Sequence, residues 1–122
     1  MLIDTALWQD FSRLSRLLKQ SDVQPCDYYR LVSDYCGCCC RLATQLALQR
    51  NSLLQEWCLR YALFTLADAA VDAGHSDEQK RLCLDMLYMP LIALTRLYRC
   101  QPQGQTELAA LHAKLKQCFA CN

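Results

Sequence analysis

Glycine and proline are scarce, with three of each in 122 residues. That leaves too little turn chemistry for a many-stranded protein. Side chains suited to a pleated surface are few as well: 3 Val, 2 Ile and 5 Thr. Nor is there an excess of either charge. Thirteen Lys and Arg against 12 Asp and Glu give a formal +1, so nothing supplies the phosphate neutralisation that drives nucleic-acid binding. Long hydrophobic runs are missing too. The longest uncharged stretch in the C-terminal half, Met86 to Thr95, is about half the ~20 residues a spanning helix needs, and it contains Pro90. At the N-terminus, Asp4 and Asp10 interrupt the place where a signal peptide carries its apolar segment. A cytosol-like compartment is the expectation.

What is present is leucine and alanine, 23 and 13 residues. Both lose little rotamer freedom in a helix. The composition predicts an all-α chain: one domain over 1–122, an antiparallel bundle of five to six helices. The apolar fraction of 53% exceeds what one small core holds, so some apolar area is expected to face a partner.

The spacing of apolar residues sets the elements. A first helix over Leu2 to Gln20 carries Ile3, Leu7, Phe11, Leu14 and Leu18 on one stripe, and Ser21 to Pro25 ends it. A second covers Cys26 to Arg50, with Gly37 in its middle giving a neighbouring helix room to approach closely. Ser52-Leu53-Leu54-Gln55 reads as a capping box that opens a third. That helix is apolar on two rows, one of Trp57, Tyr61, Phe64, Ala67 or Asp68, and Val71, the other of Leu59, Leu63, Leu66 and Ala70. It is expected to be central, with neighbours on both sides, and to stop at Gly74. Ser76 to Gln79 is a second capping box, and Pro90 predicts a break near Met86 to Met89. Gln101 to Gln105 reads as a loop, after which Thr106 caps a last helix with Leu108, Leu111, Leu115 and Phe119.

The ten cysteines are Cys26, Cys36, Cys38, Cys39, Cys40, Cys58, Cys83, Cys100, Cys118 and Cys121. Most are spaced like small helical hydrophobes and are expected to be reduced and packed as such. Cys36/Cys39 and Cys118/Cys121 are C-x-x-C pairs, which makes these four candidate thiolate ligands for zinc or copper. The first pair, however, sits inside a helix. The expectation is no cofactor, with a thiolate metal-binding bundle as an alternative. Catalysis has little to stand on. His75 and His112 lack a Ser, Cys or acid at an activating spacing and read as solvated, and no phosphate loop or metalloprotease motif occurs. The chain reads as not an enzyme. Asp68 lies within an apolar row with Asp72 one turn on; it either pairs with an arginine of another helix or lines a docking groove. Arg96, Tyr98 and Arg99 combine a helix C-terminus that favours cations with residue types enriched at binding hot spots.

Three stretches, in order, resemble the cytoplasmic domain of the DotU/IcmH (TssL) family of type VI and type IVB secretion systems. Arg60-Tyr61-Ala62-Leu63 continuing to Asp68 and Val71 is similar to the family's R-Y-A-L helix with its Asp-Glu pair, Ala69 standing at the Glu position. Leu87-Tyr88-Met89 through Leu97-Tyr98-Arg99 is similar to the L-Y segment that ends in R-Y-R, and Gly104 to Leu108 to the closing G-x-x-E-L helix. The family's C-terminal membrane anchor has no counterpart in this sequence, so the chain reads either as an excerpt of a longer protein or as a shortened, soluble relative. The resemblance implies a non-enzymatic adaptor that docks cytoplasmic machine parts, peripheral to the bacterial inner membrane through an IcmF-type partner. Tyr61, Asp68, Asp72, Arg96, Tyr98 and Arg99 are the expected docking residues. A chaperone for one secreted substrate, or a homo-oligomer that buries the surplus apolar area, would use the same kind of surface.

Overall fold

A computed structural model describes residues 5–20 and 25–120. Within them lie six helices: α1 (Thr5–Leu18), α2 (Pro25–Leu48), α3 (Ser52–Val71), α4 (Asp77–Met86), α5 (Tyr88–Arg99) and α6 (Gly104–Ala120). The fold is an all-α bundle. Ile3, the 21–24 segment and Cys121 lie outside the described residues. No helix among the described residues is long and apolar enough to cross a membrane.

Helix α3 touches all five others. Its composition explains this: Cys58, Leu59, Ala62, Leu63, Leu66 and Ala69 point in several directions around the axis, and all are buried. A helix with that much apolar circumference is stable only when surrounded. The surrounding stripes are narrower. Helix α1 contributes Leu7, Phe11, Leu14 and Leu18, and α2 contributes Tyr28, Val32, Tyr35, Cys39, Leu42 and Leu46. Phe11 stacks on Tyr35 with ring centroids 5.2 Å apart. Ser15 Oγ, one turn on, donates to the Phe11 carbonyl and lies 2.9 Å from the Tyr35 hydroxyl.

The helix ends follow local chemistry. Ser76 and Gln79 form the expected reciprocal box, with bonds of 3.1 and 2.9 Å. The α4–α5 break falls at Leu87. Pro90 then sits in the first turn of α5, where a missing N–H breaks no helical bond. Helix α3 starts one residue earlier than its Ser-Leu-Leu-Gln box suggests. Asn51 is the cap, its side chain accepting from Leu54 N at 3.2 Å, because Asn caps at least as well as Ser. Helix α2 closes with Arg50 at φ 56°, while Arg50 N–H reaches the Ala47 carbonyl and Asn51 N–H the Leu46 carbonyl. A Schellman turn needs a left-handed residue there, and here a non-glycine supplies it.

Four expectations are corrected. Gly37 makes no room for a neighbouring helix; a Cβ there would meet only Arg41 Nη1, at 3.8 Å. Gly74 does not end α3 in a left-handed conformation; Asp72 is the cap, in extended backbone. The segment read as a loop to Gln105 already becomes α6 at Gly104. The glycine is required by a close approach, since a Cβ would overlap the Tyr98 carbonyl at the end of α5. Finally, His75 is not solvated. It is 4% exposed, with Nε2 3.0 Å from the Leu18 carbonyl and its ring against Tyr28. Tyr28 donates to that same carbonyl at 2.8 Å. Two side chains thus occupy a carbonyl that the end of α1 leaves without a helical partner.

Candidate functional site

The first row of α3 turns outward. Trp57 and Tyr61 are 49% and 38% exposed, and their rings stack at 5.2 Å. From α1, Trp8 approaches Trp57 at 6.2 Å and Phe11 approaches Tyr61 at 5.9 Å. The row was expected to be covered like its neighbour. Instead α1 and α6 leave a channel between them over α3, and the row forms its floor.

Cations edge that floor. Lys19, just beyond α1, places Nζ 5.5 Å from the Tyr61 ring centroid. Lys114 of α6 lies 4.6 Å from that of Phe64, and Arg60 5.8 Å from the same ring. Ammonium and guanidinium groups at these distances are attracted to the ring faces. Together with Asp68 and Thr65, these side chains line a groove of about 300 Å³. Three cations face one carboxylate, so the groove is basic although the whole chain is nearly neutral.

The six expected docking residues do not share one surface. Tyr61 and Asp68 line the groove together; Asp68 is exposed and does not take the alternative of pairing with an arginine. Asp72 is occupied by the turn that follows α3. Its carboxylate accepts from Gly74 N at 2.9 Å and lies 2.9 Å from His75 Nδ1, off the line of a hydrogen bond. The Gly74 N–H, more than the imidazole, holds its carboxyl below the usual range. Tyr98 is a correction: at 0% exposure it is core. Its hydroxyl donates to Glu56 at 2.6 Å and accepts from Arg60 at 3.3 Å, tying α5 to α3. Burial, then the Glu56 carboxylate, push that hydroxyl's pKa up. Arg96 and Arg99 are exposed on α5, and Arg96 lines a different cleft, between α2 and α5.

The sequence places Trp57 and Phe64 in one covered row; Phe64 is indeed half-buried against the core, whereas Trp57 is exposed, and Lys19, Arg60 and Lys114 were missed. The signal for Arg60 was available, since it adjoins Tyr61 on α3. Lys19, just past the end of α1, and Lys114 of α6 lie about 40 to 50 residues away on either side, and nothing local links them to Phe64 or Tyr61.

The thiols gather in the interior. Cys36, Cys38, Cys39, Cys58 and Cys83 are buried. Burial pushes the Cys36 thiol up to about 12. Contact with the Cys58 thiol and burial push Cys39 up strongly. Such thiols are poor nucleophiles and poor metal ligands, which require thiolate. Of the four candidate ligands, Cys36 and Cys39 lie on α2 and Cys118 on α6. Among the described residues no group of three or more His, Cys, Asp or Glu side chains could hold a metal ion.

Comparison with protein-family models, curated proteins and solved structures finds no match for this chain.

Proposed function

We propose that the chain is a protein-interaction module whose docking surface is the groove over α3, and that it acts as a DotU/TssL-like adaptor for cytoplasmic parts of a bacterial secretion apparatus. The observation that carries the reading is the stacked, half-exposed Trp57–Tyr61 pair between cations from the end of α1, from α3 and from α6. Tryptophan, tyrosine and arginine are the residues that dominate binding energy at protein interfaces. Flat aromatic area with few rotatable bonds loses little entropy when covered. The basic rim favours a partner segment that carries carboxylates beside apolar side chains, and Asp68 selects against a second acid at its own end. The secretion assignment rests on the R-Y-A-L resemblance, whose stretch lies on the same helix as the groove. An IcmF-type partner would then hold the protein near the inner membrane.

Affinity purification of the tagged chain from its native cell, with mass spectrometry, tests both parts. Baseplate or sheath proteins should accompany the unaltered chain and fall at least tenfold with Trp57→Ala or Lys114→Glu. Unchanged recovery with both variants would overturn the groove. A single secreted substrate in place of machine parts would overturn the adaptor assignment in favour of a chaperone.

A further inference from the structure

A second hollow lies on the nearly opposite face of α3. At about 100° per residue, Leu59, Ala62 and Leu66 point roughly half a turn away from Trp57, Tyr61 and Phe64. There α2 and α5 stand on either side of α3. Ala43, Ala47, Ala62 and Ala93 along the seam are too short to fill it, and a cleft of about 560 Å³ remains. Its lining is apolar side chains and thiols with a few neutral polar groups. Arg96 is the one charged residue among them. Its guanidinium is exposed and makes no ion pair or hydrogen bond with a described residue. An apolar hollow deprives its lining atoms of contacts on one side, offers water few partners, and has the size of a small-ligand site.

We infer that this cleft binds a long-chain carboxylate of the fatty-acid class, the acyl chain lying between α2 and α5 and the carboxylate on Arg96. A docked helix is disfavoured by the lining: one arginine among apolar side chains and thiols offers no polar rim to match a helix's outer face. A flexible unbranched chain, by contrast, fits a seam lined by alanines. Charge selects the head group. One unpaired guanidinium matches one carboxylate, which it can grip through two parallel N–H bonds. It repels a cationic head and gains little from a neutral one.

Myristate titrated into the whole chain below its micelle concentration, followed by calorimetry, tests this. Myristyl alcohol and tetradecyltrimethylammonium serve as head-group controls. One myristate should bind per chain. Affinity should rise about fourfold for each methylene added from decanoate to myristate, following the transfer free energy of a buried CH₂. The alcohol should bind at least tenfold more weakly, and the ammonium more weakly still. Arg96→Gln should erase the difference between acid and alcohol while keeping alcohol binding. Ala93→Phe should abolish both. A readout on the unaltered chain stands beside these variants: bound myristate should slow maleimide modification of Cys40 and Cys100, exposed thiols in the lining, and leave Cys118, outside it, unaffected. Absence of saturable binding, ammonium binding as tight as carboxylate, or equal protection of Cys118 would overturn the assignment.

Discussion

The two faces of α3 are built from opposite materials. Over Trp57, Tyr61 and Phe64 lies a small groove with large side chains, three cations and one acid. Over Leu59, Ala62 and Leu66 lies a larger cleft with small side chains, several thiols and one cation. The first is filled by its own aromatics, which are rigid and present area outward. The second is left open because alanine stands at the positions that meet across the seam. A helix apolar on two rows need not be covered twice: large residues make a row into a surface, and small residues opposite one another make it into a hollow. On this view the groove offers binding energy to a protein, and the cleft offers volume to a small amphiphile.

Four measurements test that contrast, the strongest first. Alkali should attack the cleft side. Cys36 and Cys39 line it, and their thiols are raised above the ordinary value of 9.0 by burial and by contact with Cys58 respectively. Burial likewise raises the Tyr35 hydroxyl. Groups whose folded pKa is raised contribute stability that is complete below their unfolded pKa and lost as pH climbs through the folded one. Stability should therefore fall from pH 9 toward pH 12, and urea midpoints at pH 7, 9 and 11 would show it; a flat profile would mean these groups are not buried as described. Next, Leu66→Ala, at a fully buried position beside the cleft, should cost about 3 kcal/mol. A loss below 1 kcal/mol in urea unfolding would show that the cleft collapses to fill the space.

On the groove side the balance between folding and binding reverses. Trp57→Ala should cost the fold only about 1 kcal/mol, mostly its ring contacts, yet weaken partner binding by about 2 kcal/mol or more. Equal losses in thermal unfolding and in affinity would make the tryptophan part of the core and remove the contrast. The smallest effect belongs to Gly37. Its Cβ position is in ordinary contact with a flexible arginine only, so Gly37→Ala should raise stability by about 0.5–1 kcal/mol. A destabilised variant would show that a helix or ligand approaches there after all.

Much of the fold was readable because helix signals are local. Ser76 and Gln79 satisfy each other across three residues, and Pro90 forces a break through its own ring. Where two residues compete for one job the reading slips by a position, as with Asn51 and Ser52. It fails where the decisive partner is distant. Gly104 looks like loop punctuation until the Tyr98 carbonyl is seen against it, and His75 looks like a turn residue until Leu18 is found within reach of its ring. The candidate site divides along the same line. Tyr61 and Asp68 were foreseen together because seven residues on one helix bring them onto one face. Tyr98 and Arg96 joined them on residue type, as an aromatic and a cation of the kinds enriched at binding hot spots, yet one is core and the other faces the opposite cleft.

From sequence alone came an all-α bundle of five to six helices with their approximate placement, the break between α4 and α5, and the central position of α3. Period, caps and proline act within a turn or two, so they are written in neighbouring residues. Packing alone decided which row of α3 is sealed, which is bare and which is hollow. Burial depends on where other helices come to rest, and apolar stripes of similar width can be matched in several ways until side-chain volume, as at Ala43 and Ala93, selects among them.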